Sequence, residues 1–177
     1  HYLLPQTYDK TYLDGELSVI KLVNESESAW HAGNSYWRGN TSIDAQSIGI
    51  DIVNLAKCSY LSQQSSLKNK ERTQEEGANK LAHKQMCFYP DYDSKQIDML
   101  IKLSRKILKK NPDILPTHIL GHSDIAPKLT SEPGPRFPWY QLYQAGIGAW
   151  YAEETVLKYG QLFDNQWPTI ALVQQAL

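Results

Sequence analysis

The most informative stretch of this sequence reads Gly121-His122-Ser123-Asp124-Ile125-Ala126-Pro127 and, after four further residues, Glu132-Pro133-Gly134-Pro135. The preceding residues, Thr117–Leu120, are predicted to form a short strand that leads directly to His122. A strand fixes the backbone while the next side chain reaches a cleft. His122 and Glu132 can bind one metal ion together if the loop folds back, and its prolines and glycine favour such a fold. The competing interpretation is a structural histidine, the commoner use of a single His.

Composition limits the classes of function. A chain of 177 residues is normally one domain with a real core. The net charge of −1 gives no electrostatic reason to bind nucleic acid or an anionic membrane, and no apolar run approaches the roughly 20 residues of a membrane span. Eleven Tyr and five Trp suit a surface that stacks on sugars, although filling a core is the commoner use of aromatic residues.

Two features leave alternatives open. Cys58 and Cys87 do not have the spacing of a metal-binding pair; they form either one disulfide or two buried free thiols. The sequence begins at His1 rather than at Met, so we expect that a segment upstream has been removed.

The order of predicted elements indicates a mixed α/β sheet with a helix packed on one side. The clearest helix is Tyr92–Lys110, which Asp93 or Ser94 can cap and Asn111-Pro112 ends. A polar insertion, partly helical or mobile, is predicted for Leu55–Lys84. The predicted strands are the segment around His1–Pro5, Leu17–Val23 and Ser47–Val53. Residues 1–155 are interpreted as one domain, and residues 156–177 as a tail or the start of a further domain.

Asp51 is an acidic residue in the predicted strand Ser47–Val53, on the same face as Gly49. An unpaired buried carboxylate is costly, so such a residue usually has a partner or a function. Near a metal-bound water it could act as a general base. Hydrogen bonds to nearby backbone N–H groups are the equally open structural alternative.

A second candidate region is the loop Ala29–Asn40. Its Trp30, His31, Trp37 and Arg38 stand beside glycines and make a plausible ligand wall, because Trp stacks on sugars or peptides and Arg binds carboxylates through two hydrogen bonds. The alternative is a loop held in place by its aromatic side chains.

Together these motifs resemble the type-2 N-acetylmuramoyl-L-alanine amidase family, in particular its AmpD/AmiD-like members. This family is related to peptidoglycan recognition proteins. The similarity runs from His1 to about Trp150. The matching pieces are His1-Tyr2-Leu3, Ala29-Trp30-His31-Ala32-Gly33, Trp37-Arg38-Gly39, Ser47-Ile48-Gly49-Ile50, His122-Ser123-Asp124-Ile125-Ala126-Pro127, Pro133-Gly134-Pro135, Phe137-Pro138-Trp139 and Gly146-Ile147-Gly148-Ala149-Trp150.

The resemblance implies a mixed central β-sheet flanked by helices and cleavage of the amide between N-acetylmuramic acid and L-alanine. Family members bind one zinc through two His and an Asp or Cys, assisted by a strand Glu and a loop Lys. By position, His122 matches the second His ligand, Glu132 the Asp ligand and Asp51 the catalytic Glu. Thr130 stands at the Lys position. The first His ligand is expected on a strand upstream of His1.

The resulting hypothesis is a zinc-dependent peptidoglycan amidase. It assigns Asp51 as catalytic, His122 and Glu132 as metal ligands, and the muropeptide groove to Trp30, His31, Trp37 and Arg38. The changes at the Asp, Glu and Lys positions suggest the alternative, a catalytically impaired peptidoglycan-binding module or a truncated fragment. The expected partner is peptidoglycan or a muropeptide, bound by a monomer. We expect a bacterial envelope or periplasmic location, with cytoplasmic muropeptide recycling as the alternative.

Overall fold

The structure, a computed structural model, describes residues 1–7, 17–54, 57–60 and 85–169, with the backbone alone at 57–60, 85–87 and 165. The chain divides into two compact units. The first consists of His1–Leu100 and Gly121–Phe137, and the second of Ile101–Leu120 and Pro138–Leu177. All the candidate site residues lie in the first unit. The predicted domain boundary at residue 155 stays a prediction.

The sheet of the first unit is mixed, as predicted. It contains β1 (Tyr2–Leu4), β2 (Ile20–Lys21) and β3 (Ile50–Ile52) in the order β2-β1-β3. The central strand β1 runs antiparallel to β2 and parallel to β3, with Leu3 opposite Asp51 in the parallel pair. Its Leu4 side chain is fully buried, because a central strand is covered on its faces and along both edges.

A second, two-stranded sheet was not predicted. Strand β4 (Lys57–Tyr60) pairs antiparallel with β5 (Gln85–Phe88), and Cys58 is the Cα partner of Cys87. The interpretation of Leu55–Lys84 as a partly helical or mobile insertion is therefore wrong for residues 57–60, because β-pairing does not require the apolar alternation that this segment lacks. The rest of the insertion lies outside the described residues, and the pairing of the two thiols stays open.

The predicted helix is present as α1 (Ser94–Lys110), preceded by Asp93 as its cap. The Asp93 carboxylate accepts a hydrogen bond from the Lys95 backbone N–H at 2.9 Å, which satisfies one of the free donors of the first turn. Apolar side chains at helical spacing are buried along one face, namely Ile97, Leu100, Leu103 and Ile107.

Buried Gln96 connects α1 to the sheet. Its Nε2 donates to the carbonyl oxygens of Leu4 at 3.0 Å, Pro5 at 3.2 Å and Val53 at 2.9 Å. These carbonyls lie at or just beyond the C-terminal ends of β1 and β3, and that of Leu4 also accepts the Val53 backbone N–H at 3.0 Å. One amide side chain thus fixes the start of the helix against two strand ends.

The predicted strand Thr117–Leu120 is wrong. The chain forms a 3₁₀ turn at Pro116–His118, because Pro116 supplies the fixed φ that favours the first position of a helical turn. His122 does not follow a strand; it is the first residue of the short helix α2 (His122–Ile125).

The second unit is helical in its described part. Besides the rest of α1 it contains α3 (Trp139–Gln144) and α4 (Glu153–Asn165), and it buries Leu142 and Ile147. The Arg105 guanidinium donates twice to the Ala145 carbonyl, at 3.0 and 2.9 Å. Among the described residues, no helix has the length and apolar character needed to cross a bilayer.

Candidate active site

His122 is held so that one ring nitrogen remains available. The Asp124 carboxylate accepts the Gly121 backbone N–H at 2.7 Å and so closes the first turn of α2. The His122 Nε2 atom lies 3.3 Å from the Ala32 carbonyl oxygen. A carbonyl can only accept, so Nε2 carries a hydrogen, and the tautomer with this hydrogen alone has its lone pair on Nδ1. This is the arrangement in which a His can bind a metal through Nδ1.

Glu132 is brought to His122 because the loop folds back, as the sequence suggested. The Ser123 backbone N–H donates to the Glu132 carbonyl at 2.8 Å, across the loop. The Glu132 Oε2 atom then lies 3.6 Å from His122 Nδ1, with the Glu132 side chain 74% exposed. Gly121 permits the approach, since a Cβ atom there would lie 2.5 Å from Pro133 Cδ.

The geometry of this pair fits two ligands of a zinc ion. Two donors that each lie about 2.0–2.1 Å from a tetrahedral zinc are about 3.3 Å apart. The observed separation of 3.6 Å differs from this by less than a typical side-chain adjustment. Imidazole nitrogen and carboxylate oxygen are also donors that zinc prefers. Within the described ranges, no third His, Cys, Asp or Glu joins them in one cluster.

Asp51 occupies the middle of β3 with its side chain exposed. The argument that it is a buried carboxylate in need of a partner is therefore wrong, because β3 turns this side chain to solvent. Its exposure instead leaves the carboxylate accessible to a substrate.

The loop Ala29–Asn40 is fixed by Asp44, a residue that was not predicted. One Asp44 carboxylate oxygen accepts the backbone N–H groups of His31 at 2.8 Å and Ala32 at 2.7 Å. These two hydrogen bonds, His31 first, lower the pKa of Asp44 below its usual 3.8. Because Ala32 also supplies the carbonyl that contacts His122, Asp44 indirectly orients the His122 ring.

His31 is occupied within its own loop. Its Nδ1 donates to the Ala29 carbonyl at 2.6 Å, and its Nε2 lies 2.8 Å from the Ser47 hydroxyl oxygen. The ring also fills the space beside Gly49, where a Cβ atom would lie 2.4 Å from His31 Cγ. The structure therefore places His31 as a support of the loop, and its predicted contact with substrate has no free ring nitrogen to use.

The other three residues of the predicted ligand wall are Trp30, Trp37 and Arg38, and none of them has the loop-supporting role of His31. Trp30 is 90% exposed, which is unusual for so large an apolar side chain. Trp37 begins a tight turn closed by reciprocal backbone hydrogen bonds of 2.9 Å with Asn40. Inside this turn Arg38 has a φ of +46°, and its guanidinium carbon lies 5.7 Å from the Trp37 ring centroid. A non-glycine residue in this region costs on the order of 1 kcal/mol, so the turn holds Arg38 against a local preference.

Thr130 also has a structural role that the motif did not reveal. Its hydroxyl accepts the Glu132 backbone N–H at 3.2 Å, which shapes the turn just before Glu132. Thr two residues before a functional side chain is a recognisable turn signal. Asp44 has no comparable signal, because its partners are 12 and 13 residues away along the chain.

Comparison with known sequences gives a consistent result. The Amidase_2 family model, described as N-acetylmuramoyl-L-alanine amidase, matches residues 6–135. The chain is 36% identical over 150 residues to N-acetylmuramoyl-L-alanine amidase AmiD of Escherichia coli (strain K12), covering 85% of this chain and 45% of AmiD. It is 29% identical over 126 residues to 1,6-anhydro-N-acetylmuramyl-L-alanine amidase AmpD of the same strain, covering 71% and 50%. The chain thus spans about half the length of these curated relatives.

Solved structures confirm the predicted fold class. AmpDh3 from Pseudomonas aeruginosa superposes with a TM-score of 0.80 at 36% identity, over 99% of this chain and 61% of that one. AmpDh3 has also been solved in complex with anhydromuramic pentapeptide. Escherichia coli AmiD, in complex with anhydro-N-acetylmuramic acid-L-Ala-D-γ-Glu-L-Lys, gives a TM-score of 0.65 at 34% identity, over 90% of this chain and 52% of that one.

Proposed function

Because this chain belongs to the N-acetylmuramoyl-L-alanine amidase family, a family of hydrolases, we propose that it cleaves the amide between N-acetylmuramic acid and L-alanine in peptidoglycan stem peptides with the help of zinc. The observation that carries the proposal is the His122–Glu132 pair, whose 3.6 Å between His122 Nδ1 and Glu132 Oε2 is close to the spacing of two ligands on one zinc ion.

His122 and Glu132 would hold the zinc ion. When bound, zinc supplies Lewis-acid polarisation of the scissile carbonyl and a water whose pKa falls toward about 7. One further donor is required, since structural and catalytic zinc sites use at least three protein ligands and the described residues supply two here.

The exposed Asp51 carboxylate is the proposed general base. It takes a proton from the attacking water, whose oxygen adds to the lactyl carbonyl carbon of the muramic acid. The carbon–nitrogen bond then breaks, and the proton passes to the departing nitrogen of L-alanine. The products are a free muramic carboxylate and a peptide with a free amino terminus.

Trp30, Trp37 and Arg38 are proposed to bind the muropeptide. Trp30 offers an exposed ring face on which a sugar or a peptide plane can stack. Arg38 offers a cation for the carboxylates of the stem peptide. His31 contributes through the shape of the loop, since its ring nitrogens are already engaged.

The substrates found in the structures of relatives suggest the test. The zinc-loaded chain is incubated with anhydro-N-acetylmuramic acid-L-Ala-D-γ-Glu-L-Lys, and release of the tripeptide is followed by mass spectrometry. We expect release by the wild-type chain and a loss of about a hundredfold or more in kcat for Asp51→Asn, because general-base catalysis contributes about 10²–10⁴.

Two outcomes would contradict the proposal. Tight binding of the muropeptide without release of peptide would indicate a binding module instead of an enzyme. Neither binding nor release would remove the proposed substrate class. A parallel incubation with intact peptidoglycan sacculi separates action on the bacterial envelope from action on recycled soluble muropeptides, and size-exclusion chromatography tests the monomer.

A further inference from the structure

Glu132 has little of its own to hold it in place. Its side chain is 74% exposed, and among the described side chains the contact at its carboxylate is the 3.6 Å approach to His122. A long, exposed side chain samples several rotamers unless its backbone is fixed. The position of the carboxylate therefore depends on how firmly residues 131–134 are held.

The segment immediately before α1 holds this loop at the residues on both sides of Glu132. The Tyr89 hydroxyl donates to Ser131 Oγ at 3.1 Å, and the Tyr92 hydroxyl donates to the Pro133 carbonyl at 2.9 Å. The two phenols thus attach to the residue before Glu132 and to the residue after it.

Ring packing and an ion pair reinforce these hydrogen bonds. The Tyr89 ring lies where Gly134 has no side chain; a Cβ atom at this position would be 2.7 Å from Tyr89 Cδ1. The Tyr92 ring meets Phe137 edge to face, with centroids 5.2 Å apart. The Arg136 Nε atom donates to Asp91 Oδ1 at 2.8 Å. Each contact joins the same two segments, residues 89–92 and residues 131–137.

The segment of residues 89–92 is in turn anchored to the sheet through the residues that follow it. The Asp93 carboxylate caps α1 with one oxygen and accepts the Thr7 backbone N–H at 3.2 Å with the other. Three residues further on, Gln96 binds the carbonyls at the ends of β1 and β3. A continuous set of contacts therefore runs from the sheet through the start of α1 to the Glu132 loop.

We infer that Tyr89 and Tyr92 are positioning residues that aim the Glu132 carboxylate at the metal site, an inference that rests on the proposed function for the role of Glu132. Neither phenol reaches the reacting atoms, because each hydroxyl is used on the loop. Burial, and secondarily the charge of Glu132, raises the pKa of Tyr92 above 10, so its hydroxyl remains a donor throughout the neutral range.

The experiment replaces only the hydroxyl groups. Tyr92→Phe and Tyr89→Phe keep both rings and remove one donor each, while Tyr143→Phe, a partly exposed tyrosine of α3, is the matched control. The first measurement is hydrogen exchange of the Ser123 amide in the zinc-free protein, since this N–H donates to the Glu132 carbonyl. The Tyr2 amide, which donates to the Gly49 carbonyl in the sheet, reports whether the fold as a whole is intact.

The second measurement is the zinc dissociation constant, obtained by competition with a chromophoric chelator. For Tyr92→Phe we expect faster Ser123 exchange and about tenfold weaker zinc binding, as is typical when a partner that orients a ligand is removed. Tyr2 exchange should stay unchanged, and the Tyr143→Phe control should match the wild type in all three readouts.

The outcomes separate this inference from the proposed function. Unchanged Ser123 exchange in both tyrosine variants would overturn it, and so would faster exchange with wild-type zinc affinity. Should the wild-type chain bind no zinc while Ser123 exchange still increases in the variants, the loop would be held as inferred and the zinc-dependent function would be lost. If Tyr92→Phe also raised Tyr2 exchange, Asp91→Asn, which weakens the same attachment through Arg136, would replace it: faster Ser123 exchange at unchanged Tyr2 exchange would support the inference, and unchanged Ser123 exchange would overturn it.

Discussion

Two histidine-centred regions of the first unit differ in whether the ring nitrogens of their histidines all have hydrogen-bond partners. Around His31, both ring nitrogens are engaged by the loop or by Ser47, and neighbouring His1 accepts the Gly49 N–H at 3.0 Å while its Nε2 contacts the Glu27 carbonyl at 3.0 Å. Around His122, one nitrogen is engaged by Ala32 and the other faces an exposed carboxylate. The first region has both ring nitrogens of each histidine engaged, whereas the second contains the two side chains that we propose as zinc ligands.

The difference distinguishes scaffold from site more reliably than residue type does. Both regions contain His, glycines and an acidic residue within one short stretch of sequence. Only the number of hydrogen-bonding positions left open separates them, and that number depends on contacts between distant segments. Substitutions in the first region should therefore lower stability, while those in the second should lower metal binding and turnover.

The largest expected effect is that of His122→Ala on turnover. Loss of a zinc ligand should lower muropeptide hydrolysis by about a hundredfold or more, because polarisation of the carbonyl is worth several kcal/mol. Thermal unfolding should change little, since the His122 ring is about one-third exposed. His118→Ala, at an exposed position, is the control. A variant His122→Ala that retained wild-type turnover would erase the distinction between the two regions.

Gly49→Ala should have the largest effect on stability. The added Cβ would lie 2.4 Å from His31 Cγ, and such overpacking costs about 1–3 kcal/mol. Gly160→Ala provides the control, because nothing lies within 4 Å of its added Cβ and alanine favours a helix. Urea unfolding of both variants measures the difference. Equal midpoints would show that the His31 region is not tightly packed.

Asp44 makes the stability of the first region depend on acidic pH. Its pKa is lowered in the folded state, so its contribution is present above the unfolded pKa of about 4 and is lost as the pH falls through the folded value. Asp44→Asn should cost about 1–2 kcal/mol at pH 7, as expected for hydrogen bonds to a charged group, and less at pH 3, which is below the unfolded pKa. Urea unfolding at the two pH values tests this, and an equal cost at both would contradict it.

The smallest expected effect concerns Tyr2, whose hydroxyl donates to Glu25 at 2.5 Å. This hydrogen bond, together with burial and the charge of Glu25, raises the pKa of Tyr2 to about 12. The stabilisation is complete below the unfolded pKa of 10 and is lost between pH 10 and 12. Tyr2→Phe should cost about 1 kcal/mol at pH 8 and lose this alkaline dependence in unfolding experiments. An unaltered alkaline profile would assign the dependence to another group.

Local signals in the sequence were sufficient for part of the fold. Helix α1 could be predicted because its buried residues recur at helical spacing and Asp93 stands at its start. The strand expected at Thr117–Leu120 could not be ruled out by pattern, since Pro116 acts on the local backbone and not on hydrophobic periodicity. Strand β4 was missed because Lys57–Tyr60 has no apolar alternation.

The side chains of the candidate site could be predicted from the sequence, whereas the residues that hold their backbone in place could not. The motif predicted that His122 and Glu132 lie side by side, and in the structure His122 Nδ1 and Glu132 Oε2 are 3.6 Å apart. Asp44 and Tyr92 could not be found in this way, because each acts on backbone that is more than ten residues away. Trp30, Trp37 and Arg38 stay predicted substrate contacts, and Asp51 stays the predicted base.

The central claim, that the His122–Glu132 pair serves a zinc-dependent amidase, is tested most directly by removing and restoring the metal. Release of L-Ala-D-γ-Glu-L-Lys from the anhydromuramyl tripeptide is measured for the untreated chain, after dialysis against a chelator, and after addition of one equivalent of zinc. We predict that release stops on chelation and returns with zinc in the wild type, but does not return in Glu132→Ala. Release that continues undiminished in chelator, or that zinc restores equally in Glu132→Ala, would contradict the account.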